Sequence, residues 1–133
     1  MIGLDTNILV RAFVQDDSAQ FERVRRLLDE ELQDEFAYLN AIVIVEFAWS
    51  MRRAYRWEHE WLHQALSELA DHPRIVIEDR ESYREAIALC RNRKTDFPDA
   101  YLGLRNAARG CRTTVTFDKN AAAMPTFTEL GTT

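Results

Sequence analysis

Ile2-Gly3-Leu4-Asp5 opens the chain, and Thr113-Thr114-Val115-Thr116-Phe117-Asp118 lies near its other end. Both read as short strands that finish on an aspartate, because a brief apolar or β-branched run bounded by a polar residue fits a strand better than a helix. Between them, segments with helical spacing alternate with short β-rich ones. The set Phe21, Val24, Leu27, Leu28 and Leu32 follows the N-cap candidates Asp16, Asp17 and Ser18. Phe36 to Leu39 is a strand candidate, and an apolar-rich helix runs from Asn40 through Glu46 and Trp49 to about Tyr55. Trp61, Leu62, Ala65, Leu66 and Leu69 mark a further helix, Pro73 ends it, and Ile75-Val76-Ile77 reads as a strand. Tyr83 to Cys90 is helical. Asp96-Phe97-Pro98-Asp99 starts another helix, with Asp96 as cap, Pro98 in the first turn and Asp99 at the positive end of the dipole. That helix stops near Gly110, and after Asp118 come a short Ala-rich turn and a possible edge strand at Phe127. Alternating strands and helices predict an α/β fold with a mainly parallel sheet, in one domain over residues 1–133.

Composition narrows the function classes. Hydrophobic residues make up 47% and charged residues 29% of the 133, so a folded globular chain is expected. The longest apolar stretch, Ala41 to Trp49, is interrupted by Glu46 and soon followed by Arg52 and Arg53, which argues against a membrane span. Asp5, Asn7 and Arg11 stand where the apolar part of a signal peptide would lie, so a cytoplasmic location is expected. Cys90 and Cys111 are too few for a disulfide framework or a cysteine zinc site; Cys90 reads as a small buried hydrophobe. The net charge of −5 opposes nucleic-acid binding by overall charge. The basic residues are nevertheless grouped: Arg23, Arg25 and Arg26; Arg52, Arg53 and Arg56; Arg91, Arg93 and Lys94; Arg105, Arg109 and Arg112. Each group taken alone fits a solvated helix face.

Four acids occupy positions where chemistry is expected. In open α/β sheets the working site lies beyond the carboxyl ends of the strands, where Asp5 and Asp118 are predicted to stand. Asp99 opens a helix, and Glu46 lies inside one, preceded by Ile42, Val43 and Val45 and followed by Phe47 and Trp49. A carboxylate in such company is expected to have a partner. Singly, Asp5, Asp99 and Asp118 are equally well read as a strand-end cap, a helix-dipole residue and a turn residue. If the four converged, like charges would raise one another's pKa unless a cation sat among them. Oxygen ligands without His or Cys suit Mg²⁺ or Mn²⁺ rather than zinc, and such an ion suits hydrolysis of a phosphate ester.

The combination of Leu4-Asp5-Thr6-Asn7-Ile8-Leu9, a Glu in an apolar helix, Asp96-Phe97-Pro98-Asp99-Ala100 and Thr116-Phe117-Asp118-Lys119, in that order, resembles the PIN-domain family. The subgroup it is most similar to is the VapC-type toxins of bacterial toxin–antitoxin pairs. The resemblance implies a three-layer fold with a mainly parallel sheet flanked by helices, and an endoribonuclease dependent on Mg²⁺ or Mn²⁺. It assigns the catalytic and metal-binding acids to Asp5, Glu46, Asp99 and Asp118, with Asp96 as an auxiliary acid or only a helix cap. Thr6 and Thr116 become supporting hydroxyls that orient Asp5, while Asn7 stabilises the turn after the strand. The resemblance further implies a homodimer, an RNA substrate held between basic rims and a cognate antitoxin placing an Arg among the acids. Arg52, Arg53, Arg56, Arg91, Arg93 and Lys94 are the rim candidates.

His59-Glu60-Trp61-Leu62-His63 competes with this assignment. Histidines four apart share one helix face and could bind zinc, with Glu60 as the base of a metalloprotease. Leu66 and Leu69 stand where the extended motif requires Gly and His, and His72 is a poor substitute. Two further alternatives are a PIN scaffold that only binds RNA or a partner, which would have lost acids, and a haloacid-dehalogenase-type phosphatase. The latter wants an Asp where Asn7 stands.

Overall fold

A computed structural model describes residues 1–93 and 95–132. Its contacts group into two compact units, Met1–Glu78 and Asp79–Thr133.

The first unit begins with β1 (Ile2–Gly3), α1 (Thr6–Phe13) and α2 (Ser18–Arg26), the last running into a π-helical turn at Leu27–Glu31. It continues with β2 (Ala37–Leu39), α3 (Ala41–Arg53), α4 (His59–Asp71) and β3 (Ile75–Ile77). The strands form a parallel sheet in the order β1-β2-β3, with Ile2 opposite Ala37 and Ala37 opposite Ile75. Two helices lie in each crossover, as parallel pairing requires. Helix α1 is not foreseen from hydrophobic spacing. Asp5 starts it, its carboxylate accepting from the Thr6 backbone N–H at 2.7 Å. Asn7 therefore lies in the first turn of α1, and its expected place in a turn after the strand is corrected. Asn40 caps α3 by accepting from the Val43 N–H at 2.9 Å. Leu9, Leu39, Ile44, Phe47, Met51 and Leu66 fill the core of this unit.

The second unit comprises α5 (Arg80–Arg93), α6 (Phe97–Ala108), β4 (Thr114–Thr116), α7 (Lys119–Ala122) and β5 (Phe127–Glu129). Strands β4 and β5 pair in parallel, Val115 opposite Thr128. Every strand pairing among the described residues is thus parallel, and the α/β class with a mainly parallel sheet stands. Tyr83 of α5 packs edge-on to Phe97 and Tyr101 of α6, with ring centroids 5.5 and 5.9 Å apart. Asp79 adopts a left-handed φ of +50°, a region aspartate tolerates better than most residues. Its carboxylate accepts from Arg105 Nε at 2.8 Å and lies 3.2 Å from Arg109 Nη2, tying α6 to the start of α5. These contacts hold the Asp79 carboxyl below its usual range, chiefly through the Arg105 hydrogen bond. They also give Arg105 and Arg109 a structural occupation.

Helix α6 ends as its glycine foretells. Gly110 has φ +96°, the Cys111 N–H donates to the Asn106 carbonyl at 3.0 Å and the Gly110 N–H to the Ala107 carbonyl at 3.0 Å, the Schellman pattern. Cys90 is buried, and burial pushes its thiol up to about 11, as befits a small core residue. Among the described residues no helix is long and apolar enough to cross a membrane.

Candidate active site

In the first unit the capping aspartate and the α3 glutamate share a neighbour. Thr6, directly after Asp5, is buried, and its hydroxyl donates to Glu46 Oε2 at 3.3 Å. Thr6 thus serves both acids, Asp5 through its backbone N–H and Glu46 through its hydroxyl. The expected orientation of Asp5 comes from that N–H and not from the side chain. Glu46 itself is exposed. The partner expected for it is the Thr6 hydroxyl, and its exposure follows from the 3.6-residue period: Val43, Ile44, Phe47 and Ala48 turn inward, whereas Ile42 and Trp49, one turn either side of Glu46, face solvent.

In the second unit a cleft of about 230 Å³ is lined by Arg93, Thr95, Asp96, Asp99, Asp118 and Asn120, among others. Asp99 is half-buried in the first turn of α6, where the positive end of the helix dipole faces it. Its carboxyl is nevertheless pushed above the usual carboxylate range, first by desolvation and then by the charges of Asp96 and Asp118. Asp96 occupies the N-cap position of α6 but its side chain makes no capping bond. Asp118 caps α7 with one oxygen, Oδ1, accepting from the N–H groups of Asn120 and Ala121 at 2.8 and 3.3 Å. Thr116 accepts from the Asp118 N–H at 3.0 Å, so the bond seen at its hydroxyl shapes the Asp118 turn rather than Asp5.

The basic candidates separate. Arg93 lines the acidic cleft and donates to the Ala123 carbonyl at 3.4 Å. Arg53 sits over the Trp49 ring, 5.5 Å from its centroid. Arg52 donates to the Trp57 carbonyl, Arg56 has a left-handed φ of +54°, and Arg91 is exposed at the end of α5. Lys94 lies outside the described residues. Asn120, which lines the cleft, escapes sequence reading because nothing in its spacing separates it from an ordinary turn residue.

The histidines of the His-Glu-x-x-His segment have ring centroids 6.0 Å apart on α4, but His63 is only 5% exposed. It faces the same side as Leu62, Leu66 and Leu69, which is the placing of a core histidine. Among the described residues no group of three or more His, Cys, Asp or Glu side chains is placed to hold a metal ion by itself. The second-unit donors still have the chemistry of a hard-cation site: three carboxylates face one cleft, and their mutual repulsion is what a divalent ion would relieve.

The PIN domain family model matches residues 2–126, and the chain belongs to this family. Over 117 residues it is 24% identical to a VapC ribonuclease of Aquifex aeolicus (strain VF5), covering 87% of this chain and 86% of that protein.

Proposed function

We propose that this chain is an endoribonuclease dependent on Mg²⁺ or Mn²⁺ that acts as the toxin of a toxin–antitoxin pair. In this reading residues 1–133 are one nuclease domain, and Asp5, Glu46, Asp99 and Asp118 are its catalytic and metal-binding acids, with Asp96 as an auxiliary acid. The observation that carries it is the cleft lined by Asp96, Asp99 and Asp118, where burial first, and then the charges of Asp96 and Asp118, raise the pKa of Asp99. Such a group is held ready for a cation and is poorly explained as a structural cap. Family membership and the VapC relative support the nucleolytic activity and the RNA substrate.

Mg²⁺ keeps several of its waters and takes one or two direct carboxylates, so a site of this kind does not need three close protein ligands. When bound, the ion would offset charge on the phosphoryl oxygens and lower the pKa of a coordinated water. The chain's own residues position it. Asp118 keeps one oxygen on the α7 N–H groups and has the other left for the ion or its waters. Thr6 fixes the rotamer of Glu46 and the carboxylate plane of Asp5. Arg93, at the cleft wall, supplies the positive charge that an approaching phosphate needs. An antitoxin arginine entering the cleft would satisfy the same carboxylates and inhibit. A homodimer and a cytoplasmic location complete the proposal.

The test is cleavage of total RNA by the purified chain with Mg²⁺, with EDTA, and in the variants D5N and D99N. Cleavage is expected with Mg²⁺ alone and lost in the other three cases. Full cleavage by either folded variant overturns the assignment, and stoichiometric zinc in the purified protein would revive the protease reading.

A further inference from the structure

The exposed face of α3 carries a stripe of solvent-exposed side chains. Ile42, Glu46, Trp49 and Arg53 recur at intervals of four, three and four residues, so they share one side of the helix. Ile42 is 68% and Trp49 46% exposed, although Val43, Ile44, Phe47 and Met51 of the same helix are buried. The Arg53 guanidinium lies 5.5 Å from the Trp49 ring centroid, which steadies the indole without removing it from solvent. Trp49 stands one turn beyond Glu46, about 4.5 Å along the helix axis.

We propose that Trp49 is a stacking platform for an unpaired base of the RNA substrate, one nucleotide from the phosphate engaged at Glu46, with Arg53 contacting the adjoining backbone. This rests on the nuclease reading of Glu46. Three features favour a nucleotide over a protein partner. An exposed indole offers a π-face that any base can stack on, and single-stranded RNA is recognised in this way. A cation beside the ring supplies the phosphate contact that accompanies such stacking. The stripe is also interrupted at its centre by the Glu46 carboxylate, whereas the core of a protein–protein interface is depleted of charged residues. The spacing fits as well. A stacked strand advances about 3.4 Å per nucleotide, so a base on Trp49 neighbours the one whose phosphate lies at Glu46.

The experiment uses the full chain carrying D99N, expected to hold RNA without cutting it, and a short single-stranded RNA containing 2-aminopurine. Binding is expected to quench the probe. W49A in the same background should weaken binding about 5- to 150-fold and abolish the quench, and W49F should restore most of both. R53Q should weaken binding and flatten its salt dependence. Unchanged affinity and quench in W49A overturn the proposal. So does a W49A chain whose only change is loss of an oligomer by light scattering, which would make this face an interface between copies. The nuclease reading is judged separately. Cleavage by the chain with Asp99 intact, unaltered in rate and KM by W49A, removes the stacking role alone. Trp49-dependent binding by a chain that cuts no RNA removes the nuclease reading alone. Absence of any RNA binding removes both.

Discussion

The Thr6 hydroxyl donates to the Glu46 carboxylate at 3.3 Å, although 40 residues separate the two in sequence. A buried hydroxyl at the start of α1 thus holds an exposed acid in the middle of α3. Glu46 has three side-chain torsions' worth of freedom to lose if it is to meet an ion, and this bond removes part of it beforehand.

Replacing Thr6 by valine keeps the shape and the Asp5–Thr6 backbone bond while deleting the donor. A hydrogen bond to a charged group contributes roughly 1.5–3 kcal/mol when buried and less at this half-exposed site. T6V should therefore cleave RNA about 5-fold more slowly, with the loss in kcat, and T6S should recover the rate. Equal rates for T6V and the parent chain would dismiss the positioning role.

Asp118 has two occupations that substitution can separate. Its Oδ1 caps α7, while its charge contributes to the raised pKa of Asp99. Asparagine caps about as well as aspartate, so D118N should keep the melting temperature within a few degrees and lose cleavage. D118A should lose cleavage and also about 1 kcal/mol of stability. A D118N chain that cuts RNA at the parent rate would reduce Asp118 to a cap.

Much of this was legible in the sequence, for identifiable reasons. The strands just before Asp5 and Asp118, the start of α6 at Phe97 and the glycine stop at Gly110 depend on local chemistry and appear within two residues of where it puts them, although the expected Asp96 side-chain cap is not made. Helix α1 was not legible because Thr6–Phe13 begins directly on the strand-end residue, leaving no separate cap or loop to announce it. The exposure of Glu46 was not legible for a different reason. Apolar neighbours along the chain say nothing of which face an acid occupies, and α3 puts two of its large hydrophobics, Ile42 and Trp49, outside. The grouping of Asp96, Asp99 and Asp118 in one cleft depends on the packing of α6 against the β4–α7 turn, for which spacing gives no measure.

Asp99 carries a pH signature of the metal-free protein. Because its folded pKa is raised above 3.8, the native state binds more protons than the unfolded chain in the window just above that value. Stability therefore falls as pH rises through this window, and at neutral pH the ionised Asp99 is a destabilising group. In EDTA, D99N should melt higher than the parent at pH 7 and show a flatter dependence on pH in the window just above 3.8. Adding Mg²⁺ should raise the melting temperature of the parent and leave D99N unmoved. If D99N melted lower in EDTA, the repulsion argued for the cleft would be absent.

His63 provides the sharpest contrast with the zinc-protease alternative. It is buried on the face of α4 that also carries Leu62, Leu66 and Leu69, whereas His59 at the start of the helix remains half-exposed. A pair of zinc ligands would be needed equally, and loss of either would abolish activity. A core histidine and its surface neighbour behave differently. H63A should lower stability on the order of 2 kcal/mol by leaving a cavity, yet retain RNA cleavage once assayed below its melting temperature. H59A should change neither by much, since surface substitutions usually fall within about 0.5 kcal/mol. Denaturant midpoints and cleavage rates for both variants decide the matter. Loss of cleavage in both, with folding intact, would return the two histidines to the active site.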